Sequence, residues 1–508
     1  MIPSSTFEPR ARQIRPASST SWLPPSPQNS PAPPSEEDAP VSASGQHHAE
    51  AIGLTGYATV ADGIGGLVKT RVEDFRVEEL STKLSMDQRG RFTVASITLR
   101  NWETNRFIAR LAKALGIPKE RIFFAGTKDK RAITRQLFVI DAPANKVNGV
   151  ELTDVDIEVL GRTHQKIGFG NHRGNRFTIT VRGCAHPDGR PMTDQEAMEE
   201  IGKIHATLES TLGAERFPNW IGPQRFGSGR PVTAEVGRHV IAGRFDEAVM
   251  TYLSMPGDGE APDVAAFRKR IREEGISEEV IESCPDWMDF ERRMASHLLE
   301  KPDDHVGAFR RLPNNLQLMT VHALQSVVFN RALHARLEDG LPLATPVEGD
   351  LVGRVDERGQ LEAKGCVTVQ SRTADRIARN CNLGRLTVTG PLPGSEVSTC
   401  DGRPGDIEAG VMESMGLKDA TWTVAAIPRL STKGTRRALV TGFKEFTWES
   451  VPKASEGTLD GRWSEGPRDG DRWHPEGACI KFRFTLSSGA YATTLLREFM
   501  MAPLDHLG

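Results

Sequence analysis

Phe123-Phe124-Ala125-Gly126-Thr127-Lys128-Asp129-Lys130-Arg131-Ala132-Ile133-Thr134-Arg135-Gln136 sets a single carboxylate among four cations, between two stretches of strand character. The apolar run Ile122 to Ala125 leads into Asp129, and the alternating run from Ile133 to Val139 leads out. Lys128, Lys130, Arg131 and Arg135 surround the acid in sequence. Cations this close favour the charged form of a carboxylate. An ionised Asp at a strand-to-loop junction can serve as a nucleophile or a base, and the same cations would attract a polyanion. Taken alone, a basic loop holding one Asp is more often a solvated turn.

Outward from this stretch the chain reads first as sheet. Gly66 to Leu80 is strand, turn, strand, and Phe92 to Leu99 is β-branched and apolar. Thr104 is placed to cap a helix whose apolar face is Phe107, Ile108, Leu111, Ala112 and Leu115, with Gly116 ending it. Ile122 to Phe124 and Ile133 to Ile140 are further strands, and Val155 to Leu160 could pair with Arg176 to Val181. Thr193 and Glu196 form a capping box for a helix reaching Leu212. Beyond Pro218 the patterns turn helical: Val232 to Ala242, Phe245 to Leu253, Asp263 to Glu274, Trp287 to Leu299 and Leu318 to Leu337. Short strands follow near Gly349 to Val355 and Leu386 to Thr389. Strand character returns at Arg437 to Trp448 and Cys479 to Leu486, before a last helix near Ala492 to Met501. Strands, then helices, then strands describe an α+β chain in which one sheet domain is interrupted by an insertion.

Length and composition bound the rest. A chain of 508 residues suggests two or three domains. Residues 1–50 hold ten of the 32 prolines and ten serines, without apolar periodicity, and read as a disordered tail. They contain no continuous apolar stretch, so no secretory signal is expected. Arg10, Arg12 and Arg15 would admit a transit peptide, against which Glu36-Glu37-Asp38 and the prolines argue. No apolar run approaches a membrane span. The six scattered cysteines suggest neither zinc site nor disulfide framework and fit a reducing, cytoplasmic setting. Neither a His-Glu-x-x-His nor a phosphate-binding Gly-x-x-x-x-Gly-Lys is present, so no metal or nucleotide cofactor is expected.

Net charge is −3, which alone argues against a nucleic-acid partner. Its distribution argues for one. Arg100 to Gln136 holds ten Lys/Arg against three acids, and Val159 to Pro187 and Ala420 to Lys444 each hold five with no acid. Asp258 to Asp304, by contrast, carries fourteen acids and seven bases.

The stretch Ala125-Gly-Thr-Lys-Asp129-Lys-Arg-Ala-Ile-Thr-Arg-Gln136 resembles the signature of the TruD family of pseudouridine synthases. Four further segments resemble motifs of that family. They are Lys69-x-x-x-Glu73-Asp74-Phe75-x-Val77-x-Glu79, His172-Arg173-Gly174-Asn175-Arg176-Phe177, Pro218-Asn219-Trp220-Ile221-Gly222-Pro223-Gln224-Arg225-Phe226-Gly227 and Gly489-Ala490-Tyr491-Ala492-Thr493. Gly390-Pro391-Leu392-Pro393-Gly394 is similar to another and reads as a turn. The likeness covers about residues 55 to 508. It departs at Ala490, where the family often has Ser.

The resemblance implies a mixed, largely antiparallel pseudouridine synthase sheet domain in two parts, 51–218 and 435–508. Between them would lie an α/β TRUD insertion domain, 219–434, with RNA held in the cleft. It implies Asp129 as the catalytic residue, with Lys69, Lys128, Asn175, Phe177 and Arg225 binding substrate. Phe177 would stack on an extruded uracil and Asn175 would bond its edge or orient Asp129. Lys69 would pair with the carboxylate or the RNA. Taken alone, the Lys69 segment is an edge strand with alternating charge and Phe177 a buried strand residue. The segment 218–227 is as readily a hinge as an RNA contact.

The implied reaction turns uridine into pseudouridine in tRNA, best known for the family at uridine 13 of the D arm. The oligomeric state stays open, with a monomer as the default. Two other classes fit the basic cleft. One is a non-catalytic RNA-binding or RNA-folding protein, for which Asp129→Ala would be silent. The other is a hydrolase, which would need a second carboxylate or a metal beside Asp129.

Overall fold

The strand from Phe75 to Ser81 buries Phe75, Val77 and Glu79 and exposes Arg76 and Glu78, the period-two alternation its sequence dictates. It lies at the centre of a ten-stranded sheet in a computed structural model of the chain. The structure describes residues 48–227, 230–257, 260–356, 359–362, 365–453 and 471–508. These fall within one unit by internal contacts, Pro40–Gly508.

Ten strands make the large sheet: β1 (Gly65–Leu67), β2 (Phe75–Ser81), β3 (Phe92–Arg100), β4 (Ile122–Phe124), β5 (Ile133–Ile140), β6 (Val155–Thr163), β7 (His172–Cys184), β8 (Arg216–Pro218), β13 (Val440–Ser450) and β14 (Ile480–Ser487). Their order is β6-β3-β5-β2-β7-β14-β13-β8, with β1 added to β7 and β4 to β5. Among the described strands, β2 and β5 form the one parallel pair. A second sheet orders β9 (Leu351–Arg354), β10 (Val367–Thr368), β11 (Leu386–Leu392) and β12 (Thr435–Ala438) as β10-β9-β11-β12. The fold is α+β, with mixed, largely antiparallel sheets.

The helices cover these sheets with the faces their periodicity predicts. In Thr104–Leu115, Phe107, Ile108, Leu111, Ala112 and Leu115 are all buried, packing on β3 and β5. Gly116, at φ 65°, closes this helix in the left-handed region. The helix Asp194–Leu212 opens on the expected Thr193–Glu196 capping box. It shares a core with the inner faces of β7, β13 and β14 and with the helix Ala492–Met500. A separate helical core gathers Val236, Phe267, Met294, Phe309 and Val328. The 25-residue helix Asn314–Glu338 is buried along most of its length.

The sequence-based expectations fail at several places, among them the turn expected at Gly390–Gly394, whose first three residues belong to β11 and pair with β12. The helix at 104 is capped by Glu103, whose carboxylate accepts from the backbone N–H groups of Asn105 and Arg106. Thr104 faces inward instead. β6 does not pair with β7: it forms the sheet edge on β3, while β7 is flanked by β2 and β14. Alternation marks both as strands but cannot choose partners, because many registers satisfy one buried face. The helix expected from Trp287 begins at Asp289, leaving Trp287 exposed. Of the span expected to be disordered, 1–47 lies outside the described residues. Residues 48–52 are helical and are tied to the core through buried Ile52, whose carbonyl accepts from Asn330.

Candidate active site

The loop between β4 and β5 carries Asp129 to the edge of a cavity of about 400 Å³. Gly126, Lys128 and Asp129 line one side of it. Val77, His172, Asn175 and Phe177, from adjacent β2 and β7, line another. Gln224 and residues 488–493, which follow β14, complete the wall. Segments from both halves of the chain thus build one hollow, because β7 pairs with β2 on one side and with β14 on the other.

The Asp129 carboxylate is held by two donors. Lys69 Nζ stands 3.0 Å from Oδ1, and Gln224 Nε2 donates to the same oxygen at 3.0 Å. Lys69 is buried, lies over the Phe75 ring at 4.6 Å and has a backbone φ of 56°. That conformation is uncommon for a non-glycine residue. Arg131 braces it by donating to the Lys69 and Thr70 carbonyls at 2.7 and 2.9 Å.

The cations adjacent to Asp129 in sequence do not provide its ion pair. Lys128 turns into the protein and pairs with Glu79 at 2.8 Å. Arg135, pointing to the other face of β5, meets Glu158, and Lys130 is exposed. The loop is pinned by the Thr104 hydroxyl, which accepts from Lys128 N–H at 3.1 Å, and by Gln136, which donates to the Gly126 carbonyl at 3.1 Å.

Phe177 is buried but lines the cavity, stacked on Phe484 with ring centroids 5.4 Å apart. Phe169, 76% exposed, stands at the rim and meets Phe124 edge-on. The Asn175 Oδ1, His172 Nδ1 and Thr493 Oγ1 atoms are buried with no hydrogen-bond partner among the described residues, and all three residues line the cavity. Burial lowers the basicity of His172, and the nearby Lys128 ammonium lowers it further. Among the described residues no cluster of His, Cys, Asp and Glu could hold a metal ion. No helix among them is long and apolar enough to cross a membrane.

Arg225 ends the short turn Pro223–Arg225, one residue beyond Gln224. Its side chain does not hydrogen-bond to Asp129; its Nε is buried without a partner among the described residues. Gly222 precedes the turn at φ −74°, so backbone freedom does not explain it. A Cβ there would stand 3.1 Å from the Tyr491 ring, so close approach explains it.

The structure therefore brings Lys69, Lys128, Asp129, Asn175 and Phe177 around one hollow and leaves Arg225 beside it. Glu79, Gln224, His172, Phe169 and Thr104 also contribute, and none of them is among the site residues that the resemblance implies. A signal exists for Glu79, which shares a strand face with Phe75 and Val77. Gln224 and Thr104 act across long sequence separations that no local pattern records.

Over residues 51–499 the chain matches the family described as tRNA pseudouridine synthase D (TruD). It is 34% identical over 450 residues to the protein named "Probable tRNA pseudouridine synthase D" of Methanosarcina mazei, covering 88% of this chain and 96% of the relative. The protein of the same name in Halobacterium salinarum is 34% identical over 461 residues, covering 89% and 96%. A crystal structure described as that of a Methanosarcina mazei putative tRNA pseudouridine synthase D superimposes with a TM-score of 0.75 at 32% identity, covering 90% of this chain and 98% of that one. These matches make the chain a pseudouridine synthase, an isomerase by reaction class. Within that class it belongs to the TruD family.

Proposed function

We infer that this protein isomerises uridine to pseudouridine in tRNA, at uridine 13 of the D arm, with Asp129 acting on the ribose of a nucleotide extruded into the cavity. The observation that carries the reading is the pairing of Asp129 with Lys69 and Gln224 in a hollow bordered by Phe177 and Asn175. The reaction breaks C1′–N1, turns the base, joins C1′ to C5 and moves the C5 proton to solvent while N1 gains one. It is redox-neutral. Asp129 either attacks C1′ or removes the C2′ proton, and fixed donors at its carboxylate keep it aimed without reorganisation.

Phe177, backed by Phe484, gives the uracil a flat apolar surface. Asn175 meets the polar edge of the base, and Lys128, held by Glu79, fixes the loop that presents Asp129. Arg225 takes the RNA backbone. The cytoplasm is the proposed compartment. The helices from Val232 to Glu338 and the second sheet lie in the proposed insertion, 219–434, with β12 just beyond its end adding the last strand of that sheet.

Tritium release from 5-tritiated uridine in a tRNA transcript tests the reading. Wild-type protein should release tritium and Asp129→Asn should not. No release by the wild type from any uridine-containing tRNA would refute it.

A further inference from the structure

The loop that presents Asp129 borders a second hollow. Asp129 lines the cavity already described, while Lys130, the next residue, lines another of about 460 Å³. Consecutive Cα atoms lie about 3.8 Å apart, so a strand seated in one hollow passes close to the other. The second hollow is walled by Asn101, Trp102 and Glu103 after β3, by Arg106 on the helix Thr104–Leu115, and by Thr153 and Asp154 just before β6.

Its walls are held in place. Asn101 and Asp154 both adopt the left-handed backbone, at φ 56° and 59°, a conformation that Asn and Asp tolerate better than most residues. The two turns are joined: the Arg100 N–H donates to the Asp154 carbonyl at 3.0 Å, and Trp102 Nε1 donates to the Thr153 carbonyl at 3.1 Å. The half-buried Trp102 ring also meets Phe107 edge-on, with centroids 6.2 Å apart. The Asn101 N–H donates to the Ala132 carbonyl at 3.0 Å, which ties this wall to the end of the Asp129 loop.

Two of the charges in the hollow are already engaged: Glu103 caps the helix, and Arg100 pairs with Glu73. Arg106, Lys130 and Asp154 are exposed and have no side-chain partner among the described residues. A bare anion seated here would face the Asp154 carboxylate, and a purely apolar occupant would leave two cations unanswered. An occupant that satisfies all of them carries a negative charge, a flat apolar face for Trp102 and a hydrogen-bond donor for Asp154. A nucleotide whose base bears an exocyclic amine offers all three, in its phosphate, its ring and its amino group.

We propose that this hollow is a base-recognition subsite for a nucleotide flanking the target uridine. The flanking base stacks on Trp102 and turns its amine toward Asp154, while Lys130 and Arg106 take its phosphate. The assignment rests on the proposed RNA substrate and deepens it: the hollow at Asp129 takes the uridine, and the second hollow selects which uridine by its neighbour. Cations alone would bind RNA of any sequence, whereas a stacking face beside a carboxylate acceptor discriminates among bases.

The test measures equilibrium binding of tRNA transcripts carrying single abasic positions around the proposed target uridine. With wild-type protein, one flanking position should weaken binding about tenfold when its base is removed. In Trp102→Ala the same removal should cost less than about twofold, and Trp102→Phe, which keeps a ring, should restore most of the penalty. At that position, the base analogue lacking the exocyclic amine should cost wild type about tenfold. Asp154→Gly, which keeps the backbone conformation, should reduce this to less than about twofold. Lys130→Gln should lower the salt slope of log K by about one. Equal abasic penalties in wild type and Trp102→Ala, or no dependence on the amine, would overturn the subsite. Should Trp102→Ala not fold, the wild-type scan decides: no sensitive flanking position means no subsite. Tritium release without these couplings removes the subsite alone, whereas absence of release removes the parent reading and leaves the binding scan to judge the subsite.

Discussion

Lys69 Nζ and Asp129 Oδ1 lie 3.0 Å apart, although sixty positions separate the two residues in the chain. The lysine side chain is 7% exposed and the aspartate 28%, so the pair is sheltered on the protein side and open toward the cavity. Lys69→Met should leave the carboxylate without its cation and misaimed. Single-turnover tritium release should fall at least about 100-fold, the scale of losing one preorganised electrostatic contact. The tRNA affinity should barely change, because Lys69 is covered and cannot reach a backbone phosphate.

Two of the aromatic residues lining the cavity, Phe177 and Phe169, should separate chemistry from binding. Phe177→Leu keeps most of the packing against Phe484 but removes the flat face, so turnover should drop well beyond any loss of tRNA affinity. Phe169→Ala, at the exposed rim, should do the reverse and weaken binding by about 1–3 kcal/mol, the size of one base-aromatic stack. Filter binding and single-turnover rates on the same transcripts distinguish the two. Equal losses in both measurements for Phe177→Leu would make that ring merely structural.

His172 provides a pH signature. Its folded form holds a proton less readily than the ordinary value of 6.5, through burial and the Lys128 ammonium, with Glu79 opposing. The stabilisation associated with the neutral ring is therefore complete above pH 6.5 and is lost as pH falls through 6.5 toward the depressed folded value. Wild-type activity should decline over that acidic window, and His172→Asn should flatten the limb. An unchanged limb in His172→Asn would assign it elsewhere.

Stability of the second sheet should depend on Arg336 and Asp350. The arginine pairs with a fully buried carboxylate and also donates to the Pro342 carbonyl at 2.8 and 2.9 Å. Arg336→Met strands a buried charge and should cost about 3–5 kcal/mol in denaturant unfolding. Arg176→Met, at an exposed pair with Glu78 and Glu445, should cost less than about 1 kcal/mol.

The elements that periodicity controls are legible in the sequence. The apolar face of 104–115, the capping box at 193 and the alternation of Phe75, Val77 and Glu79 are local, repeating signals. Asp129 is legible for a different reason, its place in a stretch that resembles a known signature. The residues around it mislead about its ion pair. Four basic neighbours in sequence make the loop look self-sufficient, yet strand alternation sends Arg135 to the far face and Lys128 turns inward to Glu79. The resemblance brought Lys69 into the site but left its partner open between carboxylate and RNA. Partners reached through sheet pairing, such as β6 on β3, leave no imprint in either strand alone.

The pairing of β14 with β7 also has a consequence for synthesis. Ile480 meets Val181, and residues 488–493 close the hollow that Asp129 borders. A ribosome-bound chain can present the carboxylate and its lysine long before that wall has been translated. Contacts this distant in sequence form late. The nascent protein is therefore expected to stay catalytically silent until its final strand docks, which ties the onset of RNA modification to completion of the fold.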